Sequence, residues 1–460
     1  MFSTKASSPS AVLLRDQCGS AAETSAAQST ELLTILQEII KTHGPLPVSK
    51  FMTLCLTHPK LGYYTTQRVF GRQGDFITSP EISQIFGELL AIWFVTQWAA
   101  QGCHSKVRLV ELGPGRGTLL TDVLRTFKAL PKHSSPPVTS IHLVENSEAL
   151  REQQRTKLAE NGFADVETKW WNTASEVPQS DDEFTVVIAH EFFDALPIHI
   201  FEHTDKGWRE VLVDISDPKA IGAKDPLRLV LSRGPTPAST LYTRLSAIAE
   251  SQSLPETKSE AEPTDGINNG LSFDTTLPPA HSPRPQSLSP TLSRFARLPI
   301  GSRIELSPAS WEVARDLGKT MQGPKGGAGL IVDYGDAKAF GRSWRGFRKH
   351  QVVDPLTEPG HTDLTANVDF SYLSEALSDI ATCHEPMTQA SFLYSLGLEP
   401  RLQGLLRQAK PERKKDIESA AKRLVDPTGM GTQYKVMMLT PLAQKDGSER
   451  PEVYPSPQKA

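Results

Sequence analysis

Arg108-Leu-Val-Glu-Leu-Gly-Pro-Gly-Arg-Gly-Thr118 reads as an apolar strand running straight into three alternating glycines and then into the opening of a helix. Glycines at 113, 115 and 117 permit backbone angles closed to other residues and let a ligand approach the main chain closely. A dinucleotide-binding turn takes the form G-x-G-x-x-G, with its third glycine packing helix on strand below a pyrophosphate. Here the third glycine comes one residue early, and no Gly-Lys-Ser/Thr of a phosphate-gripping loop follows. A phosphate-free adenosyl ligand is the better match. By themselves the glycines establish only a nucleoside site.

Outward from this turn, short apolar runs alternate with helical periodicity, the pattern of parallel βαβ units. Strands are expected at 108–112, 140–145, 184–189 and 329–333, with helices at 118–130 and 147–161. Residues 198–202 and 208–215 read as a hairpin, 301–306 as a strand and 308–321 as a helix. The end of the chain holds expected helices at 371–378 and from 388 to about 424, and a last strand at 434–439. Upstream, 31–42 is an amphipathic helix, a second helix starts at 49, and 57–64 is expected to turn into an extended piece. A glycine-bearing loop at 71–79 then leads to one long helix over 80–100, with Pro80 in its first turn. The fold class is α/β. The expected organisation is a leader or disordered N-terminus at 1–29, a helical N-terminal lobe with a covering loop at 30–106, and the main domain at 107–235 and 295–442. Residues 236–294 form a mostly disordered insertion, because Ser, Pro, Thr and Glu there cannot bury enough surface to offset ordering entropy, and 443–460 a loose tail.

The carboxyl ends of these strands carry the chemistry. Glu145 closes the second strand, where an acid can accept hydrogen bonds from both ribose hydroxyls; it also suits the N-terminus of the following helix, and the two roles are compatible. Glu111 stands where a carboxylate could face a methionine part or a cationic sulfonium, or could pair with a nearby arginine. The third strand delivers His190-Glu-Phe-Phe-Asp-Ala-Leu-Pro197 at the edge where open α/β sheets place reacting groups. This is a near miss to the zinc motif H-E-x-x-H, but Asp194 replaces the second histidine and a strand precedes it where that motif needs a helix. Metal hydrolysis is excluded, and no metal is expected. Glu191 and Asp194 remain candidates either for gripping a cationic acceptor or for capping a turn. With the early third glycine and Glu145, they narrow the reading to methyl transfer.

Composition sets the outer limits. A formal net charge of −4 over 460 residues supplies no general basic field and argues against nucleic acid as main partner. Cys18, Cys55, Cys103 and Cys383 follow no C-x-x-C spacing, so neither a disulfide framework nor a zinc knuckle is indicated. No run of about 18 apolar residues exists, so no membrane span is expected. Residues 1–29 are rich in Ser and Ala and poor in acids, which suits an organelle transit peptide or a plain disordered start.

Glu111 to Gly117, His190 to Pro197, Gly74-Asp-Phe-Ile-Thr-Ser-Pro-Glu-Ile-Ser83 and Asp363-Leu-Thr-Ala-Asn-Val-Asp-Phe370 together resemble the MidA family, mitochondrial protein arginine methyltransferases that act in complex I assembly. The resemblance covers roughly 31–235 and 295–442. It implies a class I methyltransferase fold: a mainly parallel seven-stranded sheet with one antiparallel strand and helical additions. It further implies S-adenosyl-L-methionine as cofactor, held by Gly113, Gly115, Gly117 and Glu145 with Glu111 beside them, and a loop with Phe76, Thr78 and Ser79 closing over it. The implied acceptor is arginine, with symmetric dimethylation of a complex I core subunit in the matrix of the mitochondrion.

Within that reading Glu191 is the first catalytic candidate, gripping the guanidinium, with Asp194 or His190 helping to remove the released proton. Trp170 and Trp171 are either adenine-stacking or core residues. The stretch 344–350 is either a rim for a protein substrate or a solvated turn. Two rivals stand beside the enzyme: an assembly chaperone that binds S-adenosylmethionine without catalysis, which has no need of acids at the reaction edge, and a nicotinamide oxidoreductase, against which the glycine spacing argues.

Overall fold

The computed structural model describes residues 30–66, 78–102, 106–217, 225–242 and 298–442. The expected leader, the tail, Phe76 and most of the 236–294 insertion lie outside them.

Seven strands build the central sheet: Lys106–Leu112 (β1), Val138–Val144 (β2), Glu167–Trp171 (β3), Glu183–His190 (β4), Gly327–Asp336 (β5), Ala381–Cys383 (β6) and Tyr434–Pro441 (β7). Their order is β6-β7-β5-β4-β1-β2-β3. Neighbours from β3 to β5 run parallel, while β7 runs antiparallel to both β5 and β6. This is the seven-stranded, one-reversed sheet implied by the resemblance. Two-residue pairings add Val368–Asp369 to β5 and Met387–Thr388 to β7. The strand order reverses between β1 and β4, and in open α/β sheets the crevice for ligands lies beyond the carboxyl ends at such a point.

The inner strands are apolar on both faces because helices cover both. Leu109, Ile141, Val186 and Leu330 face one core with the helices Gln84–Ala100 and Thr118–Ala129. Their neighbours Val110, Val187 and Ile331 face another with Pro308–Thr320 and Phe370–Leu377.

Several expectations are corrected. The long helix over 80–100 is two pieces, Ser79–Ile82 and Gln84–Ala100. Ser83 interrupts it in an extended conformation, and its hydroxyl accepts from the Ile85 amide at 3.3 Å; a serine that bonds local backbone competes with helix continuation. Residues 57–64 do not lead into an extended piece, since Tyr63–Thr66 is a helical turn. Trp170 and Trp171 belong to the edge strand β3, which periodicity had not revealed. By contrast, the helices expected from 388 to about 424 are present, as Gln389–Ser395, Leu398–Gln408 and Pro411–Leu424.

The additions are also less helical than expected. Leu46–Pro47, His199–Thr204, Gly207–Ile215, Leu227–Leu231 and Arg303–Leu306 form a second, antiparallel sheet. Leu32, Leu36, Phe51 and Met52 from the first two helices share a core with its Ile200, Val211 and Val213. Residues 30–106 are therefore split between two cores, with the 84–100 helix in the methyltransferase core. Arg345–Arg348, Gln351–Val353 and Asp363–Thr365 make a third, small sheet. At the start of the expected insertion the chain is still packed: Ser239 is buried and the Thr236 hydroxyl donates to Glu210.

Candidate active site

The glycine turn leaves β1 with Gly113, Gly115 and Gly117 at φ 61, 52 and 74, the left-handed region that favours glycine. At Gly113 a Cβ would stand 2.8 Å from the Phe192 ring, so the turn and the loop after β4 lie in direct contact. Gln154, which no sequence pattern singled out, braces this corner. It donates to the Gly115 carbonyl at 2.7 Å and to Glu145 at 3.4 Å, and accepts from the Trp170 indole at 2.7 Å.

Glu145 follows β2, as expected for a ribose acid. One of its oxygens accepts from the Ser147 amide at 2.8 Å, so the helix-terminus role is real and compatible. Burial raises its pKa, and the Ser147 amide draws it back. Glu111 is buried, and its Oε2 has no hydrogen-bond partner among the described residues. Burial pushes its carboxyl up to about 8, with Lys157 offsetting part of the rise. An orphaned buried carboxylate oxygen is costly unless something cationic or protic meets it. Trp170 packs beneath the Arg155 guanidinium at 4.6 Å, and Trp171 stacks on His142 at 5.9 Å; both are half-buried, one against each face's core.

The third strand brings His190, Glu191 and Asp194 to the same edge. Glu191 has φ 49 although it is not glycine. Its Oε1 accepts from the Tyr434 hydroxyl at 2.9 Å, and the Ser79 amide also bonds its carboxylate. The side chain is 13% exposed. Burial pushes its pKa up to about 8, and the neighbouring Asp194 adds to the rise. Asp194 is buried and accepts from the Tyr334 hydroxyl; burial raises its pKa, while Tyr334 and Arg345 pull it down. His190 packs against Phe86 with ring centroids 5.1 Å apart. Burial lowers its pKa to about 3, and its Nε2 lies 3.6 Å from Glu191, with no hydrogen-bond partner among the described residues.

Below them, Asp333 within β5 accepts from the amides of Phe193, Asp194 and Tyr334 at 3.1, 3.3 and 2.9 Å. It pins the turn that holds Glu191 in its strained conformation. Asp363 accepts from the Tyr64 hydroxyl at 3.1 Å. Of the covering loop, Thr78 is half-buried and Ser79 is fully buried, its hydroxyl donating to Gln389 at 3.3 Å. Phe76 lies outside the described residues. Asp333 was within reach of sequence reasoning, since it closes the strand expected at 329–333; the strand in fact runs on through Tyr334 to Asp336. Tyr434, Tyr64 and Arg345 come from segments distant along the chain; the stretch 344–350 stands out in the sequence, but nothing local pairs any of the three with these acids.

The profile of an S-adenosyl-L-methionine-dependent methyltransferase family matches residues 89–387. A Danio rerio protein named protein arginine methyltransferase NDUFAF7, mitochondrial, is 36% identical over 440 residues, covering 92% of this chain and 90% of its own. Its Drosophila melanogaster homologue is 37% identical, covering 88% of this chain and 84% of its own. A Burkholderia thailandensis structure with S-adenosyl-homocysteine bound aligns with a TM-score of 0.63 at 22% identity, over 89% of this chain and 91% of the other. At that identity the likeness concerns the fold.

Proposed function

Because the chain belongs to the S-adenosyl-L-methionine-dependent methyltransferase family that includes the mitochondrial protein arginine methyltransferases, we propose that it methylates the guanidinium of an arginine in a protein. The finer reading is symmetric dimethylation of a complex I core subunit in the mitochondrial matrix, in support of assembly of that complex. The relatives named as mitochondrial arginine methyltransferases support the acceptor and the organelle; the family resemblance supports the rest.

The cofactor supplies an electrophilic methyl group on a cationic sulfonium. The residues present fit it. Gly113 has no room for a side chain, Glu111 offers an orphaned buried oxygen, and Glu145 stands at the next strand end. Gly113, Gly115 and Gly117 would hold the nucleoside part, Glu145 the ribose, and Thr78 and Ser79 would cover it.

The single observation that carries the acceptor assignment is Glu191. It is a strained, nearly buried carboxylate beside the glycine turn, with one oxygen fixed by Tyr434. A carboxylate so held can orient a guanidinium through paired hydrogen bonds. Alignment and exclusion of water then do most of the work of an in-line displacement. Methylation of the guanidinium would release one proton from it. Asp194 accepts that proton in our reading, because burial leaves His190 weakly basic.

Glu191→Gln tests this: methyl transfer to protein should be abolished while donor affinity by calorimetry stays nearly intact. Loss of donor binding would reassign Glu191 to the cofactor. In cells lacking the protein, mass spectrometry of complex I subunits should show loss of a symmetric dimethylarginine, and an unchanged pattern would sink the catalytic reading. Restoration of assembly by the Glu191→Gln chain would favour the non-catalytic chaperone.

A further inference from the structure

Residues 344–350 stood open in the sequence between a substrate rim and a solvated turn; Lys349 and His350 form an exposed turn, while Arg345 packs against aromatic rings. Its guanidinium lies 4.9 Å over the Tyr334 ring and 5.4 Å over Phe347. Its Nη1 donates to the Ser343 carbonyl at 2.7 Å and to Asn367 Oδ1 at 2.8 Å. Those partners are themselves held: the Ser343 amide and hydroxyl donate to the Glu305 carboxylate, and the Asn367 amide donates to the Ser343 hydroxyl at 2.8 Å. Beneath the guanidinium, the Tyr334 hydroxyl donates to Asp194.

A partly buried arginine is ordinarily paired with a carboxylate. Arg345 makes no ion pair among the described residues. Stacking and the two fixed acceptors keep its fork from swinging onto Asp194, where it would take the place of an incoming guanidinium. We propose that Arg345, acting through Tyr334, is a positioning residue for Asp194, holding that carboxylate oriented and charged toward the acceptor without occupying it. This rests on the arginine-methylating reading.

The surroundings make such a device necessary. Asp194 is faced by Glu191 from its own turn, by Asp333 and Tyr334 from β5, and by Arg345 from the small sheet. Tyr64, bonded to Asp363, and Tyr434 from β7 also lie within its field. Acids dominate this set, and Arg345 is the cation among them. Without it, mutual repulsion and burial would favour a protonated Asp194, which could neither orient a guanidinium nor take up its proton.

The test compares the wild type with Arg345→Met, Arg345→Lys and Tyr334→Phe. It uses the full chain, an arginine-containing peptide and its lysine-for-arginine control. kcat/KM is followed from pH 6 to 9, and peptide affinity is measured by calorimetry on protein loaded with S-adenosylhomocysteine. Arg345 and Tyr334 lower the Asp194 pKa, so removing either raises it and the acidic limb should move upward. A shift of one unit means about tenfold loss on that limb and convergence with the wild type at high pH. Affinity for S-adenosylhomocysteine should change less than about twofold, since its site is elsewhere. Arg345→Lys should keep the wild-type limb, because the charge remains, while losing affinity for the peptide. If Arg345→Met fails to fold by thermal melt, Tyr334→Phe, which deletes one oxygen, carries the same test. A wild type that methylates the peptide, with variants indistinguishable from it at every pH, overturns this inference alone. A wild type that neither binds nor methylates the peptide removes the parent reading and this one with it.

Discussion

Glu191 occupies a backbone region that costs a non-glycine residue roughly 1–2 kcal/mol. The strain is supported by Asp333 beneath and Tyr434 above. Glu191→Gly should therefore gain stability of about 1 kcal/mol in urea denaturation while losing methyl transfer; a destabilised glycine variant would show that the carboxylate, not function, justifies the conformation. Glu111 carries a pH prediction. Its folded pKa of about 8 lies above the ordinary 4.5, so the folded chain holds an extra proton between those values. The stabilisation linked to that proton is full below about pH 4.5 and is lost as pH rises through about 8. Glu111→Gln should flatten the decline of thermal stability between about pH 6 and 8. Binding of the cationic donor should release protons at neutral pH, read as a dependence of calorimetric heat on buffer. Equal heats in all buffers would remove Glu111 from the sulfonium's neighbourhood.

At the scale of elements, the site is a meeting of strand ends, and each is braced by something from another segment. The helix Glu148–Glu160 sends Gln154 across to the glycine turn and to β3. Gln154→Ala would strand the Gly115 carbonyl and the Trp170 indole. The expected penalty is about 1–3 kcal/mol in denaturant unfolding, with a weakened donor affinity because the turn loses its brace. Unchanged donor affinity would mean that the glycine turn holds its shape unaided. The same scale explains a missed element. β3 reads Glu-Thr-Lys-Trp-Trp, and on the sheet's edge its exposed polar residues blur the apolar run that marks the inner strands.

For the molecule as a whole, two cores meet at the acids. The central sheet supplies Glu191, Asp194 and Asp333, while Tyr64 follows the helices that pack on the second sheet, and Arg345 and Asp363 lie in the small one. Phe51 is fully buried in the second core, edge-on to Trp344 at 6.1 Å. Phe51→Ala should cost about 3–5 kcal/mol and lower methyl transfer through misplacement of Arg345, with donor binding largely preserved because the glycine turn lies in the other core. Donor binding lost in step with transfer would show that the cores do not act separately.

The chain's own order of residues determined the α/β class, the glycine turn and the acids at the strand ends, because strands and turns are written in local periodicity and in glycines a few residues apart. The same local record placed Asp333 in a strand without revealing its partners. Tertiary structure alone decided that Tyr434 fixes Glu191, that Gln154 braces the turn, and that Arg345 stacks over Tyr334. These pairings join residues up to 243 positions apart, and no periodicity records which distant side chain a fold will bring to a strand's end. The second sheet was legible only in part: its hairpin and the strand near 303 are written locally, but their pairing with each other and with Leu46–Pro47 and Leu227–Leu231, under two N-terminal helices, joins segments far apart in the chain.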